Sequence, residues 1–112
     1  MKRLLCLYAL TASLTYAADF RGYLLDKSCA DEDGNKPGYA AKHQKSCLQM
    51  KVCVQSGYGV MTDDLKYYKF DRNGNAMAAK LIAGSKKTDQ FKINVSGDVQ
   101  GDTIKVAKLT IE

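Results

Sequence analysis

The stretch HQKSCLQMKVC, His43 to Cys53, concentrates the chemistry of this chain. It contains the only histidine, two of the four cysteines and one of the four methionines. Imidazole and thiolate are ligands for zinc, and a thioether such as that of Met50 suits copper(I). His43 and Cys47 stand at i and i+4, a spacing at which two side chains on one helix face can hold a single ion. Cys29 and Cys53 would complete a set of three cysteines and one histidine acceptable to zinc. The same atoms also allow other chemistry. A cysteine pair can form a disulfide, a buried cysteine can pack as a small apolar residue, and a cysteine beside a histidine can act as a thiolate nucleophile. The chain has no CxxC pair, the usual mark of a redox enzyme. No third catalytic group or oxyanion site stands out either.

Compartment and neighbouring elements bear on the choice. MKRLLCLYALTASLTYA has a basic start, a short apolar core and small residues near its end, the layout of a secretory signal peptide. Thr15 and Ala17 suit the positions before a cleavage site, so residues 1–17 are expected to be removed. Cys6 would be lost with them. The remaining 112 − 17 = 95 residues are expected to form a single OB-like domain over 18–112. Loss of Lys2 and Arg3 lowers the formal charge from +5 to +3. A small excess of lysine calls for no nucleic-acid partner, and the apolar run is shorter than the roughly 20 residues of a membrane span. A periplasmic or secreted location follows, where thiols meet oxidants.

The pattern of elements reads β-α-β-β-α-β-β. FRGYLLD, residues 20–26, is predicted as a strand closed by charge. CADEDGNKPG, crowded with turn formers, reads as a solvated loop; Asp31, Glu32 and Asp33 lack calcium-loop spacing, because Lys42 falls where a bidentate glutamate would belong. Residues 39–55 read as one continuous helix ended by Gly57. On a wheel of about 100° per residue, His43, Cys47, Met50 and Val54 share a face, with Cys53 at its edge. Residues 58–62 and 66–70 form a hairpin. DRNGN is a turn, with Asn75 placed to cap a helix that stops at Gly84. FKINVSGDV and TIKVAKLTI alternate apolar and polar residues and pair through the Gln100–Asp102 turn. This is a mainly β chain with two helices: a five-stranded, partly open OB-like barrel with an extra helix between strands 1 and 2.

On a continuous helix Cys47 and Cys53 are about 9 Å apart in rise, beyond the roughly 7 Å between Cα atoms that a disulfide allows. The end of strand 1 approaches the start of strand 2 in such a barrel, so Cys29 and Cys53 are the expected pair. Cys47 would then remain free beside His43, packed as a thiol or serving as a ligand. Tyr58, Tyr67 and Tyr68 lie on strands that carry ligands in many OB barrels, although packing is the commoner use of such residues. Tyr67 and Tyr68 point to opposite faces.

GYLLDKSCA, the His-x3-Cys helix with its further cysteine, SGYGV and the closing hairpin together resemble a group of small exported bacterial domains. The resemblance spans nearly all of the mature chain and carries over Asp26, Cys29, His43, Cys47, Cys53 and Gly57. It implies an OB-like fold and an envelope or secreted location, and it implies no activity. The expected function is a small exported cell-envelope binding domain rather than an enzyme. It would be stabilised by a Cys29–Cys53 disulfide or bind zinc or copper through Cys29, His43, Cys47 and Cys53. Its partner would be a small ligand or an envelope protein, not nucleic acid, and the chain a monomer. The alternative is a thiol-dependent redox or catalytic protein using Cys47 and His43.

Overall fold

The computed structural model describes residues 15–112; most of the expected signal peptide, including Cys6, lies outside them. Five strands, β1 (Thr15–Asp26), β2 (Tyr58–Thr62), β3 (Tyr67–Phe70), β4 (Lys92–Gln100) and β5 (Thr103–Ile111), close into a barrel in the order β1-β2-β3-β5-β4. This is the strand order of an OB-type barrel. β1 serves both neighbours. Its first part pairs with β4, Thr15 opposite Gln100, and its second with β2, Asp26 opposite Tyr58. At Gly22 the two pairings overlap, and a Cβ there would fall on the Met61 carbonyl. A short parallel contact of β3 with β5, Lys69 opposite Thr103 and Phe70 opposite Ile104, completes the closure.

The alternation read from the last two strands lines the interior: Ile93, Val95, Val99, Ile104 and Val106 are buried with Leu24, Val60, Phe70 and Phe91. A helix between β3 and β4, Arg72–Gly84, adds Ala78 and Ile82 to this core. It begins four residues earlier than an Asn75 cap would place it. Asp71 is the cap, accepting from the Gly74 amide at 2.9 Å and from the Val106 amide at 3.1 Å. Asn75 instead accepts from the Tyr58 amide at 2.7 Å.

Between β1 and β2 the chain departs from a loop followed by one helix. Four short helices occupy the segment: α1 (Lys27–Asp33), α2 (Tyr39–Lys42), α3 (Lys45–Leu48) and α4 (Lys51–Ser56), which makes Arg72–Gly84 α5. The acidic stretch read as a loop is α1, capped by Asp26. The expected long helix is broken at His43–Gln44 and again at Met50, where ψ values of 127°, 152° and 140° are extended. The first break has a specific cause. In an uninterrupted helix the Lys45 amide would donate to the Ala41 carbonyl. Here Lys45 N donates to Thr88 O at 2.7 Å and Ala41 O accepts from Gln90 N at 3.0 Å. The 88–90 segment satisfies both groups and holds the helix open at His43. The shared face of His43, Cys47, Met50 and Val54 therefore does not form. Met50 and Val54 are 53 % and 46 % exposed, whereas His43 is buried.

Thr15, Tyr16 and Ala17 are exposed at the start of β1 and pair with Gln100, Val99 and Asp98. Cleavage after Ala17 would shorten β1 by these three residues and leave the registered segment from Ala18 onward.

Candidate functional site

The site begins where β1 ends. Asp26 is the last strand residue, has no exposed surface, and caps α1 by accepting from the Cys29 amide at 2.9 Å. Capping by an aspartate fixes the first turn of a helix, and here it sets Cys29 over the carboxylate. The extended backbone at His43 turns the imidazole inward, and its Nε2 lies 2.9 Å from Asp26 Oδ1. Tyr39 stacks at a tilt on the imidazole with ring centres 5.5 Å apart. Ligand atoms of Asp26, Cys29 and His43 all lie within 4.8 Å of one another.

Cys53 is the buried residue of the neighbouring α4 and is not one of the three converging donors. Asp26 and Cys29 are near enough to act on its titration. Two contacts clamp α4 to α1. Lys27 N donates to Gly57 O at 2.8 Å, and Ser28 N donates to Ser56 Oγ at 3.1 Å. Ser56 Oγ in turn donates to the Cys53 carbonyl at 2.7 Å. Gly57, at φ 85°, makes the turn from α4 into β2 that a residue with a side chain would strain. A small satellite core of Leu25, Ala40 and Met61, with Tyr23, Tyr39 and Tyr67 against it, surrounds the cluster.

Burial by itself would raise the Asp26 carboxyl. Hydrogen bonds from His43, the Cys29 amide and the two thiols outweigh it and hold Asp26 below the usual carboxylate range. An ionised carboxylate only accepts, so His43 Nε2 carries the proton between them. The thiols move the other way. Burial and the adjacent Asp26 charge push Cys53 up to about 12. Burial raises Cys29 as well, with the Asp26 charge acting in the same sense against a bond from Tyr39. Burial and Cys29 raise Tyr39. Without a cation, both cysteines are therefore protonated at neutral pH and poor nucleophiles. A bound cation would reverse this, because a coordinating thiol is deprotonated outright.

Of the residues expected from the sequence, Cys29 and His43 are brought together, with Asp26, and Cys53 is buried on the α4 that packs against α1. Cys47 is not among the converging donors; it sits partly exposed on α3, beyond the break at His43. Cys29 and Cys53, the pair expected to bridge, lie on helices that are hydrogen-bonded to each other, and the described cysteines are unbridged. Asp26 was legible only as the charge closing a strand and as part of the resemblance. The signal that could have singled it out is Asp-x-x-Cys ahead of a helix, with the carboxylate capping the cysteine's own amide. The tyrosines are packing residues. Tyr58 is buried and donates to Leu48 O at 2.7 Å, Tyr67 donates to Leu25 O at 3.0 Å, and Tyr68 lies on Phe20 at 4.5 Å between ring centres. Tyr67 and Tyr68 are both half-buried, rather than one inside and one out.

Among the described residues no helix is long and apolar enough to cross a membrane. No protein-family model, curated protein or solved structure matches the chain.

Proposed function

We propose that this chain is a small exported binding domain whose ligand is a transition-metal ion, zinc or copper(I), held by Cys29, Cys53, His43 and Asp26. The observation that carries the reading is the convergence of three ligand atoms, of Asp26, Cys29 and His43, within 4.8 Å of one another; Cys53, buried on the adjacent α4, is the fourth ligand of this proposal. Two sulfurs, one nitrogen and one oxygen form a donor set suited to four-coordinate zinc. The two thiolates also suit copper(I). The charge of the ion would compensate the buried carboxylate and both thiolates. Four protein ligands would leave no open coordination position, which hydrolysis needs, so the domain would store or pass the ion. Export rests on the basic, apolar and small-residue layout of residues 1–17.

The test is titration of the reduced full-length mature protein with zinc in competition with a chromophoric chelator. One ion per chain is expected. His43→Ala and Cys29→Ser should each weaken binding by about tenfold or more, as loss of a ligand does. Cys47→Ser should leave it unchanged. Absence of stoichiometric binding, or equal weakening by Cys47→Ser, overturns the assignment.

The hydrogen bonds from α1 to the end of α4 favour a second reading, in which Cys29 and Cys53 form a structural disulfide that staples the two helices. Mass spectrometry of protein isolated without reductant separates the two readings. The staple gives a two-dalton loss and a Cys29–Cys53 linked peptide.

A further inference from the structure

Cys29 is one of the three converging donors, Cys53 is buried on the α4 that is hydrogen-bonded to α1, and Cys47 lies outside the group. A thiolate pair and a disulfide are mutually exclusive states of one pair of sulfur atoms. We propose that Cys29 and Cys53 form a redox gate on the metal site: as thiolates they hold the ion, and as a disulfide they expel it. This inference rests on the metal-binding reading above and adds its regulation.

The structure arranges the pair for both states. The residue next to Cys29 is tied to Cys53 through Ser56, whose Oγ accepts from the Ser28 amide at 3.1 Å and donates to the Cys53 carbonyl at 2.7 Å. The clamps from Lys27 to Gly57 and from Ser28 to Ser56 already hold α1 against α4, so the bridge can close with these two helices left in register. Cys29 is partly exposed whereas Cys53 is buried. This sets the order of reaction with an external disulfide, RS–SR. The Cys29 thiolate attacks one sulfur, forming a mixed disulfide and releasing RS⁻. The Cys53 thiolate then attacks the Cys29 sulfur, forming the Cys29–Cys53 bond and releasing the second RS⁻. The external disulfide is reduced by two electrons to two thiolates, which take protons from solvent, and the pair is oxidised by the same two electrons. Zinc leaves as the divalent ion with its oxidation state unchanged. Asp26 and His43 remain, two donors of the original four. Affinity should fall by about a hundredfold or more, at roughly tenfold or more for each ligand lost. Cys47, off the site, is not needed as a resolving thiol.

The test uses Cys47→Ser protein with Cys29 and Cys53 intact, reduced, loaded with one equivalent of zinc and titrated with oxidised glutathione. Released zinc is read with a metal indicator and the bridge by peptide mass spectrometry. The expected result is one zinc released per Cys29–Cys53 disulfide formed, with binding restored by dithiothreitol. Retention of zinc by fully bridged protein overturns the gate and leaves the metal site standing. So does release that accompanies glutathione adducts without a bridge. Failure of the reduced protein to bind zinc at all overturns the metal site and the gate together.

Discussion

Asp26 is the residue on which the site turns, and its removal has a consequence that needs no metal. Replacing it by alanine deletes the cap on the Cys29 amide and strands the buried His43 Nε2. Loss of an N-cap side chain costs about 1 kcal/mol. A buried donor left without a partner costs about 1–3 kcal/mol. Relief of burying the carboxylate's charge works in the opposite direction. However, Asp26 is held below the usual carboxylate range, so its favourable contacts exceed that burial cost. The net loss for Asp26→Ala is therefore about 3 kcal/mol. In a domain of this size that corresponds to a melting temperature lower by about 15 °C. Asp26→Asn retains an oxygen for the cap and should cost about 1 kcal/mol. The assay is thermal unfolding of the reduced, metal-free protein at pH 7, followed by circular dichroism. Adding His43→Ala to Asp26→Ala should cost less than the two single losses added together, by about 1–2 kcal/mol, because the pair shares one contact. If Asp26→Ala melts within a few degrees of the parent, the carboxylate does not organise this end of the barrel and the reasoning fails.

The folded Asp26 pKa lies below its unfolded value, so its stabilisation is complete above the ordinary carboxylate pKa of about 4 and is lost as pH falls through the folded value; the stability gap between the parent and Asp26→Asn should narrow below about pH 4 in acid-unfolding curves. Zinc must displace protons from two thiols whose pKa values are raised, so the apparent association constant should rise by about a hundredfold between pH 7 and pH 8; a slope of one proton or less in competition titrations would remove one thiolate from the site. Closing the Cys29–Cys53 loop of 25 residues should stabilise the domain by about 3.5 kcal/mol, read as a melting temperature higher by about 15–20 °C in oxidised than in reduced protein; Cys53→Ser should abolish the difference. Gly22→Ala puts a methyl group onto the Met61 backbone where β1 changes partner, and should cost about 1–3 kcal/mol in urea unfolding; an unchanged midpoint would show that the barrel opens there freely.

The barrel was legible in the sequence because its signals are local. Alternation in Ile93–Val95 and Ile104–Val106 sets the face each strand buries, a turn at Gln100–Asp102 sets their pairing, and Gly57 and Gly84 mark helix ends. These depend on side-chain spacing and backbone freedom, which neighbours in sequence determine. The site was legible only in part. Cys29, His43 and Cys53 could be named from their chemistry, yet helix periodicity joined His43 to Cys47 and left Asp26 aside. Nothing within residues 39–55 announces the break at His43, since the groups that cause it belong to Thr88 and Gln90, more than forty residues away. Only in the folded chain do those carbonyl and amide groups replace the Lys45–Ala41 helix bond, turn the imidazole from Cys47 toward the end of β1, and bring it onto a carboxylate 17 residues upstream. Helix propensity is worth a few tenths of a kcal/mol per residue, less than the pairing of a buried carboxylate with its donors, so tertiary contacts decided which residues share the site.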